Sequence, residues 1–210
     1  MKTLLITEKP SVAQDIAKSL PERFNKHDGF LEGGNLIISW AVGHLLELAM
    51  PQDYDEKLQR WSISMLPVIP EPFQLRPKQA SLKQLKILRD LIKRQDVDRL
   101  INGCDAAREG ELIFRYIIQF LKCSKPHSRL WLSETTPAAI RSAFDNLRPD
   151  SEMQNLAQAA ISRSQADWIV GINATRGFTV QFGDKLTVGR VQTPTLAIIV
   201  NREREIENFT

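Results

Sequence analysis

Arg99-Leu100-Ile101-Asn102-Gly103-Cys104-Asp105-Ala106-Ala107-Arg108-Glu109-Gly110-Glu111 is the stretch on which the reading of this chain turns. Residues 99–103 have the character of a short strand, and a helix is expected from about Ala106 to Leu121. The same alternation recurs on both sides. Thr3-Leu4-Leu5-Ile6-Thr7 reads as a buried strand, followed by a helix from Ser11, where Ser11 and Gln14 have capping-box spacing. Phe30-Leu31 and Leu36 to Val42, around Gly33-Gly34-Asn35, read as a hairpin. Arg129-Leu130-Trp131-Leu132 reads as a third strand before a helix with Thr136 as cap and Pro137 at its first position. Strands alternating with helices predict an α/β fold, a mainly parallel sheet flanked by helices with right-handed crossovers.

Between these elements, Pro51, Pro67, Pro70, Pro72 and Pro77 predict a long irregular connection over 50–80. From Ser151 the pattern changes. Residues 151–182 read as one long helix or two, and Thr193-Pro194 opens another, the beginning of an α-helical domain. A boundary at Arg148-Pro149-Asp150 divides the chain into 1–148 and 149–210. The residues from Arg202 on read as helix without a cap, so the chain is expected to stop inside a larger design.

Across 210 residues, 42% are hydrophobic and 25% charged, enough apolar content for a sizeable core. The net charge of +3 does not by itself indicate nucleic acid. Eight of the basic side chains lie within residues 74–99, with Leu82, Leu85, Leu88, Leu91 and Ile92 at helical spacing among them. That segment reads as the solvated face of a helix rather than an anion-binding stripe. The two cysteines, Cys104 and Cys123, exclude a disulfide scaffold and a zinc cluster. Glu8 and Lys9 interrupt the N-terminal apolar run before a signal peptide can form, and Leu196 to Val200 is too short to span a bilayer. A soluble cytoplasmic protein is expected.

Glu8 and Lys9 directly follow the first strand, and Asp105 directly follows the strand ending at Gly103. Open parallel sheets bind ligands at the carboxyl ends of their strands. If the two strands are neighbours, two carboxylates and a lysine converge there, a set suited to Mg²⁺ and a phosphate. The alternative makes Asp105 a helix cap, with Glu109 and Glu111 favouring the helix dipole. A capping box on Asp105 would need its acid at 108, which is arginine. His44 reads as structural, Arg163 and Asp167 as an intrahelical pair, and Trp61 and Trp168 as core residues.

Glu8-Lys9-Pro10-Ser11 and Asp105-Ala106-Ala107-Arg108-Glu109-Gly110-Glu111 together resemble the Toprim domain, a Rossmann-like fold, of type IA DNA topoisomerases. Ala41-Val42-Gly43-His44-Leu45, Trp61 with Leu66 to Pro70, Ala166 to Arg176 and Gly189 to Pro194 extend the resemblance to the topoisomerase III branch, in collinear order over essentially the whole chain. The resemblance implies that Glu8, Asp105 and Glu109 hold Mg²⁺ and that Glu8 and Lys9 are catalytic, Lys9 assisting proton or charge transfer at the scissile phosphate. It implies DNA contacts by Trp61, Trp168, Arg176, Thr187, Val188, Gly189, Arg190, Val191 and Gln192. Where the family pattern is Asp-x-Asp-x-Glu, this chain has Ala107 as the second member, so one Mg²⁺ is expected rather than two.

The implied reaction is relaxation of negatively supercoiled DNA by single-strand cleavage, strand passage and religation, without ATP or a membrane. Its nucleophile is a tyrosine in a Tyr-x-Arg-Thr context. The two tyrosines here, Tyr54 and Tyr116, lack that context, so this chain alone is not expected to cleave. Two alternatives are a non-catalytic Toprim-type binding module for nucleic acid or a partner, and phosphoryl transfer of the Toprim primase or nuclease type.

Overall fold

The computed structural model describes residues 1–209. In chain order the elements are β1 (Lys2–Thr7), α1 (Pro10–Ser19), β2 (Asn25–His27), β3 (Phe30–Gly33), β4 (Leu36–Trp40), β5 (Leu46–Leu48), α2 (Pro51–Tyr54) and β6 (Leu75–Pro77). They continue with α3 (Leu82–Ile92), β7 (Val97–Gly103), α4 (Arg108–Phe120), β8 (His127–Arg129), α5 (Pro137–Asp145), β9 (Arg148–Pro149), α6 (Asp150–Phe182) and α7 (Gln192–Glu207). The chain falls into two compact units, one of residues 1–47 with 75–161, the other of 48–74 with those from 162 onward. The division lies within α6, and the second unit draws on residues well before 149.

The first unit is built on a seven-stranded sheet in the order β2-β3-β4-β1-β7-β8-β9. Its centre is parallel: β1 pairs with β4 and β7, and β7 with β8, all parallel. The edges are antiparallel, with β2 on β3, β3 on β4 and β9 on β8. Leu4, Leu5 and Ile6 are all fully buried, as a central strand covered on both faces requires. Leu5 joins Ala13 and Ile16 of α1, Ile38, Ile101 and Ile140 of α5 in one core cluster. Each such aliphatic side chain contributes about 1.5–3 kcal/mol on burial. Between β1 and β7, Lys2 faces Val97 while Thr3 already faces Arg99, a slip at the N-terminal end of the pair; from there to Thr7 and Gly103 the register is unbroken.

Several local expectations are corrected. The Ser11 capping box does not form: α1 starts at Pro10, with Lys9 before it and no side-chain cap. Proline lacks an N–H and has a fixed φ, so it takes the first helical position ahead of any cap at Ser11. Residues 50–80 are irregular as expected except for α2, isolated 3-10 turns and β6. The third strand ends at Arg129 rather than 132, because Trp131 leaves the ladder and sits between the guanidinium groups of Arg129 and Arg148, at 5.3 and 4.7 Å from its ring. Thr136 caps α5 as expected, accepting from Ala139 N–H. In α3, Leu85, Leu88, Leu91 and Ile92 are buried while Lys83, Lys86 and Arg89 are exposed, the solvated face read from the pattern.

In the second unit, Asn173 fastens the proline-rich segment to α6. Its Oδ1 accepts from Val68 N–H at 2.6 Å and its Nδ2 donates to Val68 O at 2.9 Å. No helix among the described residues is long and apolar enough to cross a membrane.

Candidate functional site

The parallel pairing of β1 with β7 ends with Thr7 opposite Gly103, so Glu8 and Asp105 leave adjacent strand ends on the same side of the sheet. The Lys9 ammonium lies 3.3 Å from Asp105 Oδ2 and 4.0 Å from Glu8 Oε1. Asp105 is not a cap: α4 begins at Arg108, with Ala107 before it and no side-chain cap. Burial, and then the Asp105 charge, push the Glu8 carboxyl above the usual carboxylate range, against Lys9, His44 and the Asp105 backbone N–H, which lower it. The hydrogen bond to Asp105, with the charges of Asp105 and Glu8, raises Lys9 and keeps it protonated. Burial pushes the neighbouring Cys104 thiol well above its usual range, so it is not a nucleophile.

Glu109 does not join this pair. Its Oε2 lies 3.2 Å from His44 Nε2. His44 is held there by a turn in which Val42 has φ 54° and Gly43 φ 75°. A β-branched residue in that left-handed region is uncommon and strained. Among the described residues no group of three His, Cys, Asp or Glu side chains is placed to hold a metal ion. Of the three expected ligands, the structure brings Glu8 and Asp105 together and places Glu109 on His44. The pair still fits a divalent cation that keeps most of its waters, because the Asp105 charge opposes ionisation of Glu8 and a cation relieves that repulsion.

Behind the pair lies a buried polar layer that the sequence reading did not single out. Glu111 accepts from Arg115 Nε at 2.7 Å and from Asn102 Nδ2 at 2.9 Å. Arg129 donates from Nη2 to the Asp105 carbonyl at 2.6 Å. A basic residue at a strand end gives no signal of burial, which depends on the crossovers that cover it.

The second unit holds the residues expected to contact DNA. The Trp168 indole donates to Ala49 O at 3.0 Å, and its ring meets Phe73 edge-on at 5.6 Å. Arg176 is 4% exposed; its guanidinium donates to Leu58 O at 2.8 Å and lies 5.3 Å from the Trp61 ring centre. Trp61 itself is 38% exposed. Thr187 is exposed, Val188 is tied to Thr175 by its N–H at 2.9 Å, and Gly189 N–H donates to Thr193 Oγ1 at 3.1 Å. Val191 precedes α7, which starts at Gln192; both are exposed. Arg190 binds Asp167 through two hydrogen bonds. The hydrogen-bonded partner of Asp167 is therefore Arg190 and not Arg163, whose charge acts on it only through space. The pairing spans 23 residues, beyond the reach of helical spacing.

Two family profiles match this chain, the Toprim domain over residues 3–135 and DNA topoisomerase over 151–210. DNA topoisomerase 3 of Bacillus subtilis (strain 168) is 46% identical over 209 residues, covering 100% of this chain and 29% of the relative. DNA topoisomerase 3 of Bacillus anthracis is 46% identical over 208 residues, covering 99% and 28%. The chain thus spans under a third of the length of these relatives. Full-length topoisomerase I from Thermotoga maritima shares the fold, with a TM-score of 0.65 at 24% identity over 99% of this chain and 31% of that one. With Glu8, Lys9 and Asp105 at adjacent strand ends of a mainly parallel sheet and the Toprim profile matched over residues 3–135, the chain belongs to the Toprim domain family.

Proposed function

We propose that this chain supplies the Toprim domain, residues 1–148, and the start of the helical DNA-groove domain, residues 149–210, to a cytoplasmic DNA topoisomerase III. Such an enzyme relaxes negatively supercoiled DNA by Mg²⁺-dependent, ATP-independent cleavage of one strand, strand passage and religation. The observation that carries the reading is the convergence of Lys9 on Glu8 and Asp105.

In cleavage, a tyrosine outside this chain gives up its hydroxyl proton to solvent and attacks phosphorus, the bond to the 3′ oxygen breaks, and that oxygen takes a proton. Lys9, held protonated beside the pair, is suited to hand it over, while Glu8 stays ionised as a ligand. Lys9, held protonated, meets the negative charge developing on the phosphate and the leaving oxygen. Glu8 and Asp105, with Glu109 if it leaves His44, would hold a Mg²⁺ ion, which would supply charge neutralisation for the phosphate. Single-stranded DNA runs over Trp61, Trp168 and Thr187 to Gln192, where the start of α7 favours a phosphate, while the buried Arg176 acts from behind Trp61 rather than by direct contact.

The test grafts this chain in place of the corresponding segment of the Bacillus subtilis relative and assays relaxation of negatively supercoiled plasmid with Mg²⁺ and no ATP. Relaxation by the graft, abolished by Lys9→Ala, is expected. A graft that folds and binds single strands but does not relax the plasmid would overturn the reading in favour of a binding module.

A further inference from the structure

Arg129 ends β8 beneath the carboxyl ends of β1 and β7 and is 1% exposed. Burying a guanidinium is unfavourable unless its donors are matched, yet Nε and Nη1 have no hydrogen-bond partner. It is not simply the counter-ion of Glu111: that carboxylate already accepts from Arg115 and Asn102, and its Oε2 stands 4.0 Å from Arg129 Nε. An apolar side chain of similar length would fill the space without the desolvation penalty. What only the arginine provides is the bond from Nη2 to the Asp105 carbonyl at 2.6 Å.

That carbonyl belongs to a residue held on every side. It also accepts from Ala107 N–H at 2.7 Å. A Cβ on Gly110 would stand 2.1 Å from the Asp105 oxygen and 2.6 Å from its nitrogen, so the Asp105 backbone packs on α4 with no slack. The Asp105 carboxylate, in turn, meets the Lys9 ammonium at 3.3 Å, which also lies 4.0 Å from Glu8 Oε1. The Asp105 backbone is therefore fixed by Arg129 and Ala107 on its carbonyl and by α4 at Gly110, and tilting it would move its carboxylate away from Lys9 and Glu8.

We infer that Arg129 is a positioning residue for the Glu8–Asp105 pair, acting from the buried side of the Asp105 backbone, with Gly110 providing the clearance. The inference rests on the reading of that pair as a cation site. Groups that orient metal-binding side chains typically change metal affinity by about 10- to 100-fold when replaced.

The experiment uses the 210-residue chain as Arg129→Lys, which keeps the charge but loses the planar fork, and Arg129→Met, which keeps the length. Arg148→Lys, the second guanidinium at Trp131, is the control. The first readout needs no metal: hydrogen exchange at the Ala107 amide, which donates to the same Asp105 carbonyl, against the Leu5 and Ile101 amides. The second is Mg²⁺ affinity by calorimetry, with Glu8→Gln and Asp105→Asn as benchmarks. Both Arg129 variants should lose about tenfold in Ala107 protection and in Mg²⁺ affinity, with Leu5 and Ile101 unchanged. Arg148→Lys should change neither. Unaltered Ala107 protection in both variants overturns the inference, and so does a uniform loss at Leu5 and Ile101, which assigns Arg129 to the core alone. If Glu8→Gln and Asp105→Asn leave Mg²⁺ binding untouched, the cation reading is what fails, while the exchange result still decides the role of Arg129.

Discussion

Arg190 holds Asp167 by both sides of its guanidinium, Nε to Oδ1 at 2.8 Å and Nη2 to Oδ2 at 3.1 Å, across 23 residues of chain. Those bonds keep the Asp167 carboxyl below its usual range. The carboxylate occupies the fork that a phosphate would otherwise use. Arg190→Ala should weaken binding of a single-stranded oligonucleotide and lower the salt slope by about one counterion. Asp167→Asn should tighten it by about two- to fivefold, since exposed ion pairs are worth up to about 1 kcal/mol. Fluorescence anisotropy over a salt series measures both, and an Asp167→Asn variant that binds more weakly than the parent would count against the phosphate role of Arg190.

Lys9 is expected to act on rate. In the grafted enzyme, Lys9→Ala should slow single-turnover cleavage by about a hundredfold or more, with strand affinity little changed, because its charge meets negative charge that develops only during reaction. If the variant loses affinity as much as Arg190→Ala while its saturated cleavage rate is normal, Lys9 is another phosphate clamp.

Neither tyrosine of this chain is placed as a nucleophile. Tyr54 Oη accepts from Gln74 N–H at 2.8 Å, and Tyr116 is 4% exposed within α4. Incubating the chain with single-stranded DNA and Mg²⁺, then running a denaturing gel, should show no covalent adduct. An adduct lost in Tyr54→Phe or Tyr116→Phe would force a new assignment.

The opposite end of the sheet carries an acid-sensitive cluster. Arg94 binds Glu32 at 2.8 and 3.0 Å and Asp96 at 2.7 and 2.9 Å, and Lys2 also pairs with Glu32. The Arg94 hydrogen bonds hold Glu32 at about 2 against an ordinary 4.5, and Asp96 at about 2 against 3.8. Both are lowered in the folded chain, so their stabilisation is whole above the ordinary values and is lost as pH falls towards 2. Arg94→Ala should melt lower than the parent at neutral pH, and the gap should close between about pH 5 and about pH 2. A gap constant across that range would assign the effect to the packing of the arginine stem.

The parallel arrangement was legible because each central strand is a short apolar run and each candidate acid follows its end directly. Asp105 could be read in place, and Thr136-Pro137 announced its helix, since both signals are local. What escaped depends on distant residues. Arg129 is buried by crossovers that strand patterning does not reveal, Asp167 finds its partner across 23 residues, and Asn173 fastens Val68 from 105 residues away. Glu109 had the right spacing for a ligand, but His44, delivered by the strained turn at Val42, takes it instead.

The slip between Lys2 and Thr3 means that the ladder passes over Asp98 at the end of β1 and β7 remote from the carboxylates. A one-residue shift in a strand turns every later side chain to the opposite face. Because the irregularity is confined to the first pair, the five pairs from Thr3–Arg99 to Thr7–Gly103 run without interruption up to Glu8 and Asp105. Changes in chain length near Asp98 can therefore be absorbed at the end of the pair remote from Glu8 and Asp105. The same single-residue insertion between Leu4 and Thr7 would carry the Glu8 carboxylate away from Lys9 and Asp105 while leaving the sheet itself intact.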